Sequence, residues 1–164
     1  MPVPDPKMPG QESVWDYPRP PALEPSSRRL RIVHRGSTIA DTVMALRTLE
    51  TSHPPTWYLP PADIDMARLK PSARHGSVCE WKGRARYWDV VIDDRVLASV
   101  GWSYPEPTPR FAGLRDHIAF YAVPFDAVTI DGEQVRPQPG GFYGGWITAD
   151  LAGPFKGVPG SQFW

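Results

Sequence analysis

Apolar and polar residues alternate most regularly over residues 79–92, C-E-W-K-G-R-A-R-Y-W-D-V-V-I, and a period of two in a proline-free run predicts a β-strand. Trp81, Gly83, Ala85 and Tyr87 share one face; Glu80, Lys82, Arg84 and Arg86 share the other. Asp93-Asp94 then turns the chain into a second apolar run, 96–104. With a two-residue turn, Trp102 falls opposite Ala85, Tyr104 opposite Gly83 and Val100 opposite Tyr87. Small residues facing large rings give this hairpin a defined register. The polar face pairs Arg84 with Ser103 and Arg86 with Gly101.

The remaining pattern predicts short elements. Residues 29–34 alternate, Arg35-Gly36 supplies a two-residue turn and residues 37–40 return, which is hairpin chemistry. Val43, Leu46 and Leu49 keep helical spacing, but a turn at 41–44 and a strand ending near Glu50 fit better. Its partner is the aromatic run 56–59, across Pro54-Pro55. Pro60-Pro61 opens a helical turn over 62–69, with acidic groups near its start, and a polar loop follows at 70–77. Thr108-Pro109 is an N-cap and first-turn pair. Phe111, Leu114 and Ile118 mark one helical face there, with a strand extending over 119–122. Asp131-Gly132, between 128–130 and 133–135, carries a type I′ turn signature.

Composition changes this picture at the ends. The chain has 164 residues and 21 prolines, eight of them within residues 1–27. Residues 1–11 read as a disordered tail, while Trp15 and Tyr17 could anchor residues 12–21 as an extended strap. Residues 136–164 hold seven glycines, four prolines and six aromatics. That is too much glycine for regular elements and too many rings for a linker. The segment reads as a wrap docked through Phe142, Tyr143, Trp146, Phe155 and Trp164. A single domain over 12–164 is expected.

Charge removes several function classes. Eighteen basic and eighteen acidic residues give a net charge of zero, so bulk electrostatics offers nothing to a nucleic-acid polymer or an anionic membrane. One cysteine, Cys79, excludes an internal disulfide and a zinc site built on cysteine pairs. No stretch approaches membrane-spanning length, and a soluble cytoplasmic protein is the expectation.

Most candidate chemistry has a structural explanation. Arg28, Arg29, Arg31 and Arg35 read as a solvated strand face rather than a phosphate site. Asp63 and Asp65 resemble paired magnesium carboxylates, with Gly36-Ser37 as a distant Gly-Ser, but a proline-started turn favours acidic residues anyway. Gly140–Trp146 and the glycines at 153–157 lack the Lys-Ser/Thr ending of a phosphate loop. Ser52-His53 are sequence neighbours that rarely face each other, and Cys79 reads as a buried, inert thiol. One constellation is stronger. Glu50, Tyr58, Glu80 and Lys82 sit at predicted strand ends beside Trp102 and Tyr104, and aromatic walls with a few fixed charges line small-ligand pockets.

Several strings also carry a resemblance. L-E-T-S-H-P-P-T-W-Y-L-P at 49–60, C-E-W-K-G-R-A-R-Y-W at 79–88 and W-S-Y-P-E-P at 102–107 resemble the bacterial family known as domain of unknown function 427. I-A-F-Y at 118–121 and P-Q-P-G-G-F-Y-G-G-W-I-T at 137–148 resemble its longer, actinobacterial-type members. The resemblance implies a β-tent-like fold, two antiparallel sheets packed at an angle around a pocket. Relatives in that class carry paired zinc-binding cysteines that this chain lacks. It also brings a label implying nucleotidyl transfer, which the carboxylate spacing here does not support.

The expected fold is therefore all-β, with two short helical turns and aromatic, proline-rich terminal wraps. The expected function is binding of a small polar or peptide-like ligand by Glu50, Tyr58, Glu80, Lys82, Trp102 and Tyr104, with no metal. An enzyme acting on a nucleotide or phosphorylated metabolite, and a protein-interaction module, are the alternatives.

Overall fold

Proline is confined to edges and connections of regular structure, and the elements here are correspondingly short. The computed structural model describes residues 1–164, and its longest strand, Arg95–Ser103, has nine residues. The chain is all-β. One four-stranded sheet runs Ile118–Phe120, Arg95–Ser103, Arg86–Ile92, Leu69–Pro71; the other runs Glu133–Gln134, Ala127–Ile130, Leu30–His34, Ser37–Thr42. A three-stranded antiparallel sheet joins Ala22–Pro25, Leu46–Leu49 and Thr56–Tyr58. Leu30, Ile32, Val128 and Ile130 of one large sheet share the main core with Val90, Ile92 and Phe120 of the other. A second cluster, Tyr58, Tyr87, Trp102, Tyr104, Phe111 and Leu114, joins the three-stranded sheet to the central hairpin. No helix is long and apolar enough to cross a membrane.

The central hairpin keeps its expected faces but not its expected partners. Asp93 and Asp94 both take positive φ, 47° and 63°, as a two-residue turn matched to strand twist requires. Ile92, Val91 and Val90 then pair with Arg95, Val96 and Leu97. A bulge follows between Trp88 and Val90. Asp89 Oδ1 accepts the Ser99 N–H at 2.8 Å, with Ser99 at φ 53°. Beyond it the register has moved by two residues. Trp102 faces Tyr87 rather than Ala85, Ser103 faces Arg86 rather than Arg84, and Gly101 faces Trp88. An even slip leaves every side chain on its original face.

The stretch 79–92 is not one strand. Val78–Cys79 and Gly83–Arg84 form a two-stranded unit, and residues 80–82 are the turn between them. Gly83 makes this possible with φ +108°. Thr108 secures the turn, donating its hydroxyl to Trp81 O at 2.6 Å and its N–H to Lys82 O at 3.1 Å. Glu80 and Lys82 therefore leave the strand face assigned by alternation.

Other boundaries also move. The turn expected over 62–69 is two 3-10 turns, Pro61–Asp63 and Met66–Arg68, and Leu69–Pro71 is an edge strand where a loop was expected. The helix after Thr108 is 3-10, Pro109–Leu114, with Thr108 spent on Trp81 instead of a cap. Ile118 lies on a strand, not a helical face. In the N-terminal strap, Glu12–Ser13 pairs in parallel with Leu151–Ala152, and the Trp15 indole donates to Pro154 O at 2.9 Å. Asp5 N–H donates to Gly153 O at 2.8 Å. The C-terminal segment contains short strands, Arg136–Pro137, Trp146–Ile147 and Leu151–Ala152. Phe142, expected to dock, is 62% exposed. The arginine cluster is bound up in ion pairs: Arg28 with Asp131 and Asp150, Arg29 and Arg31 with Asp41, Arg35 with Asp93.

Candidate functional site

A cavity of about 310 Å³ lies beside the second core cluster, and Glu50, Tyr58, Glu80, Lys82, Trp102 and Tyr104 all line it. Three local structures bring them together. Glu50 follows Leu46–Leu49 and Tyr58 ends its partner Thr56–Tyr58. Trp102 lies near the end of Arg95–Ser103, and Tyr104 is fixed by a bridge to Arg115. Strand parity alone separates Lys82 from Trp102; the turn at 80–82 puts both on one opening.

The charged residues are not paired as their proximity suggests. Lys82 makes no ion pair with Glu50 or Glu80. Its Nζ donates to Cys79 Sγ at 3.4 Å and lies 5.8 Å from the Phe111 ring centre. Glu80 is exposed on the turn. Glu50 instead meets Arg19 Nη2 at 3.3 Å and His53 Nε2 at 3.4 Å. Cys79, expected to be buried and inert, is half-buried and faces the cavity.

The polar groups among the aromatics are more deeply enclosed. Tyr58 is 1% exposed. Burial raises its phenol pKa, and the Tyr104 phenol is raised for the same reason, so both remain neutral donors at physiological pH. The Trp102 indole, the Tyr104 hydroxyl and Thr48 surround the Tyr58 hydroxyl. Each lies close enough to oppose the rise that burial imposes on its pKa. Tyr87 differs, sharing a 2.8 Å hydrogen bond with Ser77.

His53 also lines the cavity, and its environment sets its protonation. Gly145 N–H donates to Gln138 Oε1 at 3.1 Å, which orients the amide so that its NH₂ faces His53 Nδ1 at 3.0 Å and Lys156 O at 2.9 Å. Nδ1 is thus an acceptor, and Nε2 carries the proton toward Glu50. Burial, aided by the positive charges of Lys156, Arg19 and Lys82, lowers the His53 pKa to about 3. Neutral at physiological pH, His53 lies 3.4 Å from Glu50 through Nε2 without forming an ion pair. No local signal reveals this, because Gln138 lies 85 residues away. Ser52, its sequence neighbour, is fully buried and does not line the cavity.

The acidic pair is used elsewhere. Asp63 accepts from Thr42 Oγ1 at 2.7 Å, and Asp65 pairs with Arg68 at 3.0 Å. No group of three His, Cys, Asp or Glu side chains is disposed to hold a metal ion. A second cavity, of about 290 Å³, shares Tyr121, Tyr143 and Gly144 with the first, and no charged residue lines it.

In a comparison with known families, a model described as domain of unknown function (DUF427) matches residues 22–131. All six cavity residues read from the sequence fall within that span, whereas Tyr143 and Lys156, which also line the cavity, lie beyond it. No curated protein matches the chain.

Proposed function

The chain belongs to the DUF427 family, and we propose that it binds a small polar or peptide-like ligand in the aromatic-lined cavity. One observation carries this reading: a single enclosure joins aromatic walls to convergent polar groups, among them a lysine with no carboxylate partner. Tyr58, Trp102 and Tyr104 are buried side chains that line this cavity, with the Trp102 indole and the Tyr104 hydroxyl gathered at the Tyr58 hydroxyl. Buried polar groups are ordinarily paired, and an aromatic enclosure with convergent polar groups is the usual form of a small-molecule site.

A thermal-shift panel of amino acids, dipeptides and nucleoside triphosphates, with and without magnesium, tests the proposal. An amino acid, dipeptide or similar metabolite is expected to raise the Tm, and Trp102→Ala to abolish the rise. A rise confined to a triphosphate with magnesium would replace this reading with an enzyme acting on nucleotides. Silence across the panel would replace it with an interaction module.

A further inference from the structure

The side chains gathered around Tyr58 and Tyr104 in the cavity are rich in hydrogen-bond donors. Trp102 Nε1–H can only donate, as can the Lys82 ammonium; Tyr58 and Tyr104 contribute hydroxyls. The three rings are buried, at 1%, 8% and 6% exposure for Tyr58, Trp102 and Tyr104. Trp146, also buried, gives its indole N–H to Phe120 O at 3.0 Å, whereas Trp102 has no backbone acceptor and meets only the Tyr58 hydroxyl. Burial keeps both phenols protonated.

The nearby acceptors are engaged or directed elsewhere. Cys79 Sγ, a weak acceptor, receives Lys82 at 3.4 Å. Glu50 is paired with Arg19 at 3.3 Å. Glu80 is exposed on the turn. Lys156, which also lines the cavity, donates to Trp164 O at 3.2 Å. A cationic donor, an indole N–H and two phenols are therefore complemented by an acceptor-rich, negatively charged group.

We propose that this part of the cavity is an oxyanion subsite, in which Lys82, Tyr58, Tyr104 and Trp102 take the carboxylate or phosphate of the pocket's ligand. Lys82 supplies charge and the three rings supply directed hydrogen bonds, while the aromatic walls hold the ligand's apolar part. This inference rests on the reading of the cavity as a ligand site.

Calorimetric titration of the full chain with benzoate, phenyl phosphate and benzamide tests it. One of the two anions is expected to bind at least roughly tenfold more tightly than the neutral amide, as a charge-assisted hydrogen bond provides. The preferred anion distinguishes a carboxylate from a phosphate ligand. Tyr58→Phe should weaken anion binding by a similar factor while changing benzamide binding little. A merely structural hydroxyl would weaken both alike. Lys82→Met should bring the anion-to-amide ratio close to one. Equal binding of benzoate and benzamide, both lost in Trp102→Ala, would overturn the oxyanion subsite and leave the pocket standing. Anion binding unchanged in both Tyr58→Phe and Lys82→Met would also overturn the subsite. Absence of binding by all three probes, with silence across the metabolite panel, would overturn both readings.

Discussion

His53 and Tyr58 border the same cavity, and burial removes the charged form of each, with opposite consequences for titration. Tyr58 is moved further above physiological pH, whereas His53 falls from 6.5 to about 3. The sign of the His53 effect follows from where the proton binds. Below pH 6.5 the unfolded chain takes up a proton that the folded site refuses, so this contribution to stability is complete above 6.5 and is lost as pH falls toward 3. Urea unfolding should show stability declining from pH 6.5 to 5, with His53 contributing up to about 1.4 kcal/mol per pH unit. His53→Gln should flatten the decline in that window; an unchanged slope would show that His53 does not carry it. Glu50 and Tyr58 were legible in the sequence because each ends an aromatic or alternating run beside prolines. The protonation state of His53 was not, since it depends on burial beside an amide contributed by the distant Gln138.

The element that brings Lys82 to the cavity is the turn at residues 80–82. Gly83 follows it at φ +108°, where a side chain is strained, and an added Cβ would lie 3.1 Å from Glu106 O. Gly83→Ala should cost about 1–3 kcal/mol and displace Lys82, seen as a lowered urea midpoint together with loss of ligand response. Retention of both would mean the turn does not depend on glycine. The hairpin turns at Arg35-Gly36, Asp93-Asp94 and Asp131-Gly132 were readable because residues that tolerate positive φ interrupt alternating runs. The bulge was not readable. It depends on the Asp89 side chain capturing the Ser99 N–H, and alternation carries no sign of that contact. The broken strand escaped for a related reason: Glu80, Trp81 and Lys82 continue the period of two while Thr108, far along the chain, holds them in a turn.

At the scale of the molecule, the C-terminal segment is part of both core and cavity. Trp146 is 1% exposed and belongs to the main core, while Tyr143, Gly144 and Lys156 wall the cavity. Trp146→Ala should therefore cost about 3–5 kcal/mol, and removal of residues 136–164 should lower the Tm sharply or leave the protein insoluble. An unchanged melt would make the segment a dispensable tail. The all-β character was evident from short alternating runs and abundant proline. The two-residue strands of this segment were not, because their pairing depends on remote partners, as when Leu151–Ala152 lies beside Glu12–Ser13. The central claim is that a ligand's anionic group meets Trp102, Tyr58, Tyr104 and Lys82 in the cavity. The most direct measurement is a ¹⁵N-edited NMR titration with benzoate, following the seven tryptophan indole N–H signals, with Trp102 assigned through Trp102→Phe. The account predicts that the Trp102 indole signal moves saturably downfield, as a newly made hydrogen bond requires, while Trp146, already bonded to Phe120 O, stays in place. A saturating shift at Trp15 or Trp164 with Trp102 unmoved, or no shift at any indole, would contradict it.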